Sequence, residues 1–230
     1  VESPPQLTLL AQNTFGEQSV NSCVVDIATK ALRKPGNVWL PKKALVDGGS
    51  AILVAVPPRI SSTAASTVST TQRKLGPGGV LVVGQEQISY LSSTATKDLP
   101  CRQTLFLSVD ALPADAESGL PRYLLADDCG NWHMISFVTD NTRVTALQRI
   151  VLGTTSSLAN SLVYLEQGLV FCGSAWGDSQ ILQIHKEPVP NENDDAGDEL
   201  SIGQEMSYLS IFEEFTQLGP IVDMDRVGKV

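Results

Sequence analysis

Apolar residues along this chain come in short runs separated by turn-forming residues. The clearest cases are 78–91 (GGVLVVGQEQISYL), 122–137 (RYLLADDCGNWHMISF) and 168–184 (GLVFCGSAWGDSQILQI), each of which reads as two apolar strands wrapped around a polar turn. An earlier stretch, 7–27 (LTLLAQNTFGEQSVNSCVVDI), has the same form. Trp132, Met134 and Ser136 alternate with His133, Ile135 and Phe137, the period of two that a strand imposes on its side chains. Helical heptads are absent. The Gly-Asp, Cys-Gly-Asn and Gly-Ser turns supply residues that tolerate the positive φ of tight hairpins.

These hairpins recur. With Gly84, Asp127 and Gly173 taken as equivalent turn positions, the spacings are 43 and 46 residues; from Asn13 to Gly84 the gap is 71 and includes a polar insertion. Further apolar stretches at 50–56, 104–112, 157–165 and 218–224 predict an additional strand for each unit. Short strands repeating every ~40–50 residues between Gly, Asp and Asn turns are the signature of propeller blades. The expected fold class is therefore all-β, a partial β-propeller of about four blades, fewer than a full ring of about seven. A blade buries its faces only against its neighbours, so an arc of this kind predicts continuation on both sides, as does a chain that begins at Val1 rather than Met.

Two segments interrupt the pattern. Residues 61–71 (SSTAASTVSTT) hold eight Ser/Thr in eleven, and 190–199 (PNENDDAGDE) hold five carboxylates and no aromatic residue. Neither composition builds a core, and both read as loop insertions, spanning 57–77 and 188–200.

Composition narrows the function. A hydrophobic content of 42% over 230 residues suffices for a real core. The formal charge of -9 repels a phosphate backbone, and no window gathers a Lys/Arg cluster, so direct nucleic-acid binding by this segment is not expected. Cys23, Cys101, Cys129 and Cys172 lie far apart without a C-x-x-C pair, and no Asn-x-Ser/Thr acceptor occurs. Both facts favour a reducing compartment. The longest apolar runs are about six residues, as in AILVAV (51–56), too short to span a membrane.

Reactive constellations are not evident. His133 and His185 are the only imidazoles, and neither neighbours a nucleophile motif. GSAWG (173–177) is not a G-x-S-x-G elbow, and GPGG (76–79) lacks the third glycine and following helix of a nucleotide fingerprint. Cys129 and His133 form C-x3-H without a second pair of ligands. Asp127 and Asp128 read as a tight turn whose side chains cap their own backbone. No catalytic, cofactor-binding or metal-ligating residue is assigned, and the chain is expected not to be an enzyme.

The ordered series LVVGQEQISYL (81–91), RYLLADDCGNWHMISF (122–137), LGTTSSLANSLVYLEQGLVFCGSAWGDSQILQI (152–184) and FEEFTQLGPIVDM (212–224) resembles the large subunits of UV-damaged DNA-binding complexes, adaptors of cullin-RING ubiquitin ligases. The superfamily also includes the large subunits of cleavage/polyadenylation and splicing complexes, which supply the alternative reading, a propeller scaffold of mRNA processing. The resemblance implies three propellers in the whole protein. Residues 1–218 would form blades of the first, a seven-bladed ring, and 219–230 would start the crossover toward the next. It further implies a non-catalytic scaffold in nucleus and cytoplasm, acting in DNA repair and protein ubiquitination. In the family the first and third propellers grip a helical segment of substrate receptors, the second binds the cullin, and contact with damaged DNA belongs to the receptor subunit. Two positions carry over to the receptor cleft: Trp176, where the family commonly has Leu, and Pro220, with Ile221 and Val222 beside it. A large apolar residue on a turn and a rigid Pro suit the apolar face of a helix. The Leu-to-Trp change alters the pocket that a receptor would meet, and the tail DRVGKV (225–230) departs from the family pattern.

Overall fold

A computed structural model describes residues 6–33, 45–58, 78–115, 118–140, 143–190, 206–216 and 218–225. Among them there is no helix; sixteen strands form four antiparallel sheets, the blades of a partial β-propeller. In the first sheet β2 (Gln18–Asp26) pairs with β1 (Gln6–Gln12) on one side and with β3 (Ala31–Arg33) and β4 (Leu45–Val46) on the other. The other three are four-stranded meanders: β5 (Ile52–Val56) to β8 (Thr96–Pro100) through β6 (Gly79–Val83) and β7 (Gln87–Ser92); β9 (Phe106–Ala114) to β12 (Arg143–Thr154) through β10 (Pro121–Asp127) and β11 (Asn131–Asp140); and β13 (Ala159–Glu166) to β16 (Met206–Phe215) through β14 (Leu169–Ser174) and β15 (Ser179–Pro190).

The apolar runs of β6 and β14 are buried on both pleat faces, which is why they read as continuous rather than alternating. β8, at a sheet edge, alternates exposed with half-buried positions. Of the expected insertions, 59–77 and 191–200 lie outside the described residues, while 188–190 form the end of β15.

The chain groups into two compact units. One comprises Val1–Thr104, Ala114–Pro121 and Phe137–Gln148; its core holds Val20, Val80, Val82 and Leu91, and Tyr90 meets Phe137 edge to face at 5.3 Å. The other comprises Leu105–Pro113, Arg122–Ser136 and Arg149–Val230. Its core joins the third sheet to the fourth through Leu124, Trp132, Leu152, Leu162, Val170 and Leu182.

One device recurs in the turns: a short polar side chain accepts backbone N–H groups two to four residues on. Asn13 Oδ1 accepts from Phe15 and Glu17, Asp127 Oδ1 from Cys129 and Asn131, and Ser174 Oγ from Trp176 and Gly177, all within 2.8–3.3 Å. In the second sheet Asp47 does this from outside the hairpin, accepting from Glu86 at 2.7 Å and from Gly49 at 3.0 Å. In the fourth sheet the acceptor is Ser174, one residue beyond the glycine that the spacing singled out.

The expected strand at 218–224 is corrected by the structure. The outer strand of the fourth sheet is β16, supplied by MSYLSIFEEF, while 218–225 is irregular. The reason is local: Gly219 sits at φ +85° and Pro220 has no N–H to give to a ladder.

Candidate functional site

The hairpin joining β14 to β15 is held almost wholly by side chains. Ser179 Oγ accepts the N–H of Ser174 at 3.2 Å, Asn160 Oδ1 accepts that of Ala175 at 2.9 Å, and Ser174 Oγ takes those of Trp176 and Gly177. With these four N–H groups taken, Ala175–Asp178 forms a defined turn whose indole stands in solvent: Trp176 is 83% exposed.

The segment after β16 returns to this hairpin. The N–H of Ile221 donates to the carbonyl of Ser174 at 3.0 Å, and its side chain lies over Gly173, where a Cβ would come within 2.7 Å of Ile221 Cγ2. Ile221 is the half-buried anchor; Pro220 is exposed and Val222 is 76% exposed. The four residues expected at a receptor site are thus on two segments joined by a hydrogen bond. Leu218 at 55% and Met224 at 43% add exposed apolar surface on the same segment. The sequence reading did not assign them, since alternation and turn signals carry no information about exposure outside a strand.

Gly173→Ala tests the anchor, because the added methyl meets both Ile221 and Ser161 Oγ. The expected outcome is that amide exchange at Ile221 quickens by roughly tenfold while Val170 in β14 stays protected, read by native-state hydrogen exchange.

Other polar clusters serve the fold. Asp127 is buried, and besides the two turn N–H groups it faces Asn131 Nδ2 at 3.0 Å and His133 Nε2 at 3.0 Å. Burial pushes its pKa up, but the hydrogen bonds from His133, Asn131 and the turn outweigh burial and hold the carboxyl below its ordinary value. Its oxygens, which lie near Asp128 and Cys129 in a group of metal-ligand types, are therefore already engaged. His185 Nε2 lies 2.7 Å from Ser210 Oγ, a pairing that a separation of 25 residues concealed in the sequence. It is a bond between neighbouring strands: Gln183 faces Ser210 in the ladder, and no carboxylate among the described residues hydrogen-bonds His185. Burial pushes the Cys172 thiol up to about 12, and the Asp128 charge raises that of the exposed Cys129, so neither is an activated nucleophile.

At the opposite end of these strands lies a cleft of about 660 Å³, lined in part by Met134, Tyr164, Tyr208, Arg122 and Lys186. The two basic residues stand at the far end of the unit from Trp176.

Residues 2–216 match the model of the RSE1/DDB1/CPSF1 first β-propeller. The chain belongs to this family. Among curated relatives it is similar to DNA damage-binding protein 1 of Solanum lycopersicum, 32% identical over 219 residues that cover 95% of this chain and 16% of the relative. It is also similar to DNA damage-binding protein 1 of Oryza sativa subsp. japonica, 30% identical over 190 residues (80% and 14%), and to DNA damage-binding protein 1b of Arabidopsis thaliana, 36% identical over 145 residues (63% and 12%). The chain thus spans about a sixth, 16%, of the length of the tomato relative. The first-propeller match includes Trp176 and ends before Pro220.

Proposed function

We propose that this first-propeller chain is a non-catalytic scaffold segment that docks the apolar face of a receptor helix on Trp176, Pro220 and Val222, with Ile221 holding the two segments together. The observation that carries the reading is the bond from Ile221 N–H to the Ser174 carbonyl, which sets an exposed Pro-Val pair beside a hairpin presenting an exposed indole. Rigid turns with exposed Trp are suited to hot-spot contacts, because little entropy is lost when they bind. Family membership and similarity to DNA damage-binding protein 1 support a role as part of an adaptor linking substrate receptors to a cullin-RING ligase in the nucleus and cytoplasm, with the cullin bound outside this segment.

The test uses the full-length protein and helical peptides from receptor proteins. The double variant Trp176→Ala/Pro220→Ala is expected to weaken peptide binding by at least roughly tenfold in isothermal titration, with the unfolding midpoint held within a degree or two. Unchanged affinity would remove the site assignment. Co-purification of the wild type with polyadenylation or splicing factors in place of a cullin would move the scaffold to the other branch of the family.

A further inference from the structure

We infer that the cleft between the third and fourth sheets binds a small organic anion, an apolar body carrying a carboxylate-, sulfonate- or phosphate-type head. Every residue that lines it belongs to the second compact unit, and both sheets contribute. Lys186 enters it near the end of β15, the strand that starts at Ser179 just after the Trp176 turn, so the cleft does not depend on what that turn docks.

Apolar surface is the first reason. Met134, Ile150, Tyr164, Ile184 and Tyr208 are the half-buried side chains that pack against the core of the unit, and all five line the cleft. The edge of this core therefore opens into one concavity, of about 660 Å³. Small-molecule sites run from roughly 300 to 1,000 Å³, whereas two turns of a helix ~10 Å across and ~11 Å long need more than this space. One wall is held by backbone: Gln167 and Gly168 take positive φ of 54° and 85° in the β13–β14 turn, Gly168 N–H donates to the Tyr164 hydroxyl at 3.2 Å, and Ile184 N–H donates to the Gly168 carbonyl at 2.8 Å.

Charge is the second. Arg122 is the only Lys or Arg between Arg102 and Arg143, and Lys186 is the only one between Arg149 and Arg226, yet the fold brings these two into one lining. Among the described residues neither forms an ion pair, and no Asp or Glu lines the cleft; Glu166 and Glu187 flank lining residues in sequence without joining the lining. Arg122 Nε donates to the Pro113 carbonyl at 3.5 Å, which leaves the terminal nitrogens of its fork for an oxyanion. His185 Nε2 is engaged with Ser210 Oγ at 2.7 Å, so the fixed positive charge comes from Arg122 and Lys186. A neutral ligand would cover two cations without pairing them, and a cation would be repelled. An anion with an apolar body satisfies both the walls and the charge.

The probe is 8-anilinonaphthalene-1-sulfonate, titrated by its fluorescence against the full-length protein, with neutral N-phenyl-1-naphthylamine supplying the same rings without the charge. Arg122→Gln/Lys186→Gln is expected to weaken the sulfonate at least roughly tenfold, to leave the neutral amine within about twofold and to keep the urea midpoint. Equal losses for both probes would mean that the two side chains serve only the wall, and would overturn the anionic class. Sulfonate binding that the double variant leaves unchanged but Trp176→Ala removes would belong to the hairpin turn and overturns the cleft site, as does a wild type that binds no sulfonate saturably.

Discussion

Trp132→Ala is expected to lower the unfolding free energy by about 3–5 kcal/mol, read as a shift of the urea midpoint at unchanged slope. Trp132 is fully buried in the core that joins the third sheet to the fourth, among Leu124, Leu152 and Val170. Its Nε1 donates to Thr155 Oγ1 at 2.9 Å; that hydroxyl donates onward to the Ser157 carbonyl at 2.9 Å, and Thr155 N–H donates to the carbonyl of Gly130 at 2.9 Å. One side chain thus fills the space between two sheets and ties the β10–β11 turn to the strand connection beside it. Truncation empties that space, and blades that are stable only through their neighbours have no second contact to fall back on. Trp132→Phe separates the two contributions: it keeps much of the volume and loses the hydrogen bond, so a cost of about 1–2 kcal/mol is expected. Phe15→Ala is the control. Its ring is 88% exposed, and it should change stability by less than about 0.5 kcal/mol.

The parts of this fold that were legible in the sequence are those set by local chemistry. Asn13, Asp127 and Ser174 each satisfy N–H groups of their own hairpin turn, and β14 is apolar because both its pleat faces are covered, so these turns are legible as punctuation. The outer strands were harder to place. β16 is hard to read as a strand, because in MSYLSIFEEF the ladder to β15 stabilises a strand of which Phe212, Glu213 and Glu214 face solvent. The candidate site was legible only in its members. That Trp176, Pro220, Ile221 and Val222 are grouped depends on the Ile221–Ser174 bond, a contact across nearly fifty residues that no spacing rule encodes.

Asp127→Ala is expected to cost about 3 kcal/mol, since each buried group left without its partner costs about 1–3 kcal/mol and several lose theirs together. The carboxylate accepts from Cys129 N at 2.9 Å, Asn131 N at 2.8 Å, Asn131 Nδ2 and His133 Nε2. His133 is itself 5% exposed, packed edge to face on Phe106 at 5.5 Å, with Nδ1 already unpartnered, so loss of Asp127 orphans the whole imidazole. The pH dependence gives a second reading that a mere cavity would not show. Because the folded carboxyl titrates below the ordinary 3.8, its contribution is fully present above that value and is lost as pH falls through the lower folded value. The stability gap between wild type and Asp127→Asn, measured by urea unfolding across a pH series, should therefore hold above about pH 5 and narrow below about pH 4. A gap that widened on acidification would show that Asp127 is favoured as the neutral acid in the folded state. The turn would then be held by burial of a protonated carboxyl rather than by an ionised acceptor.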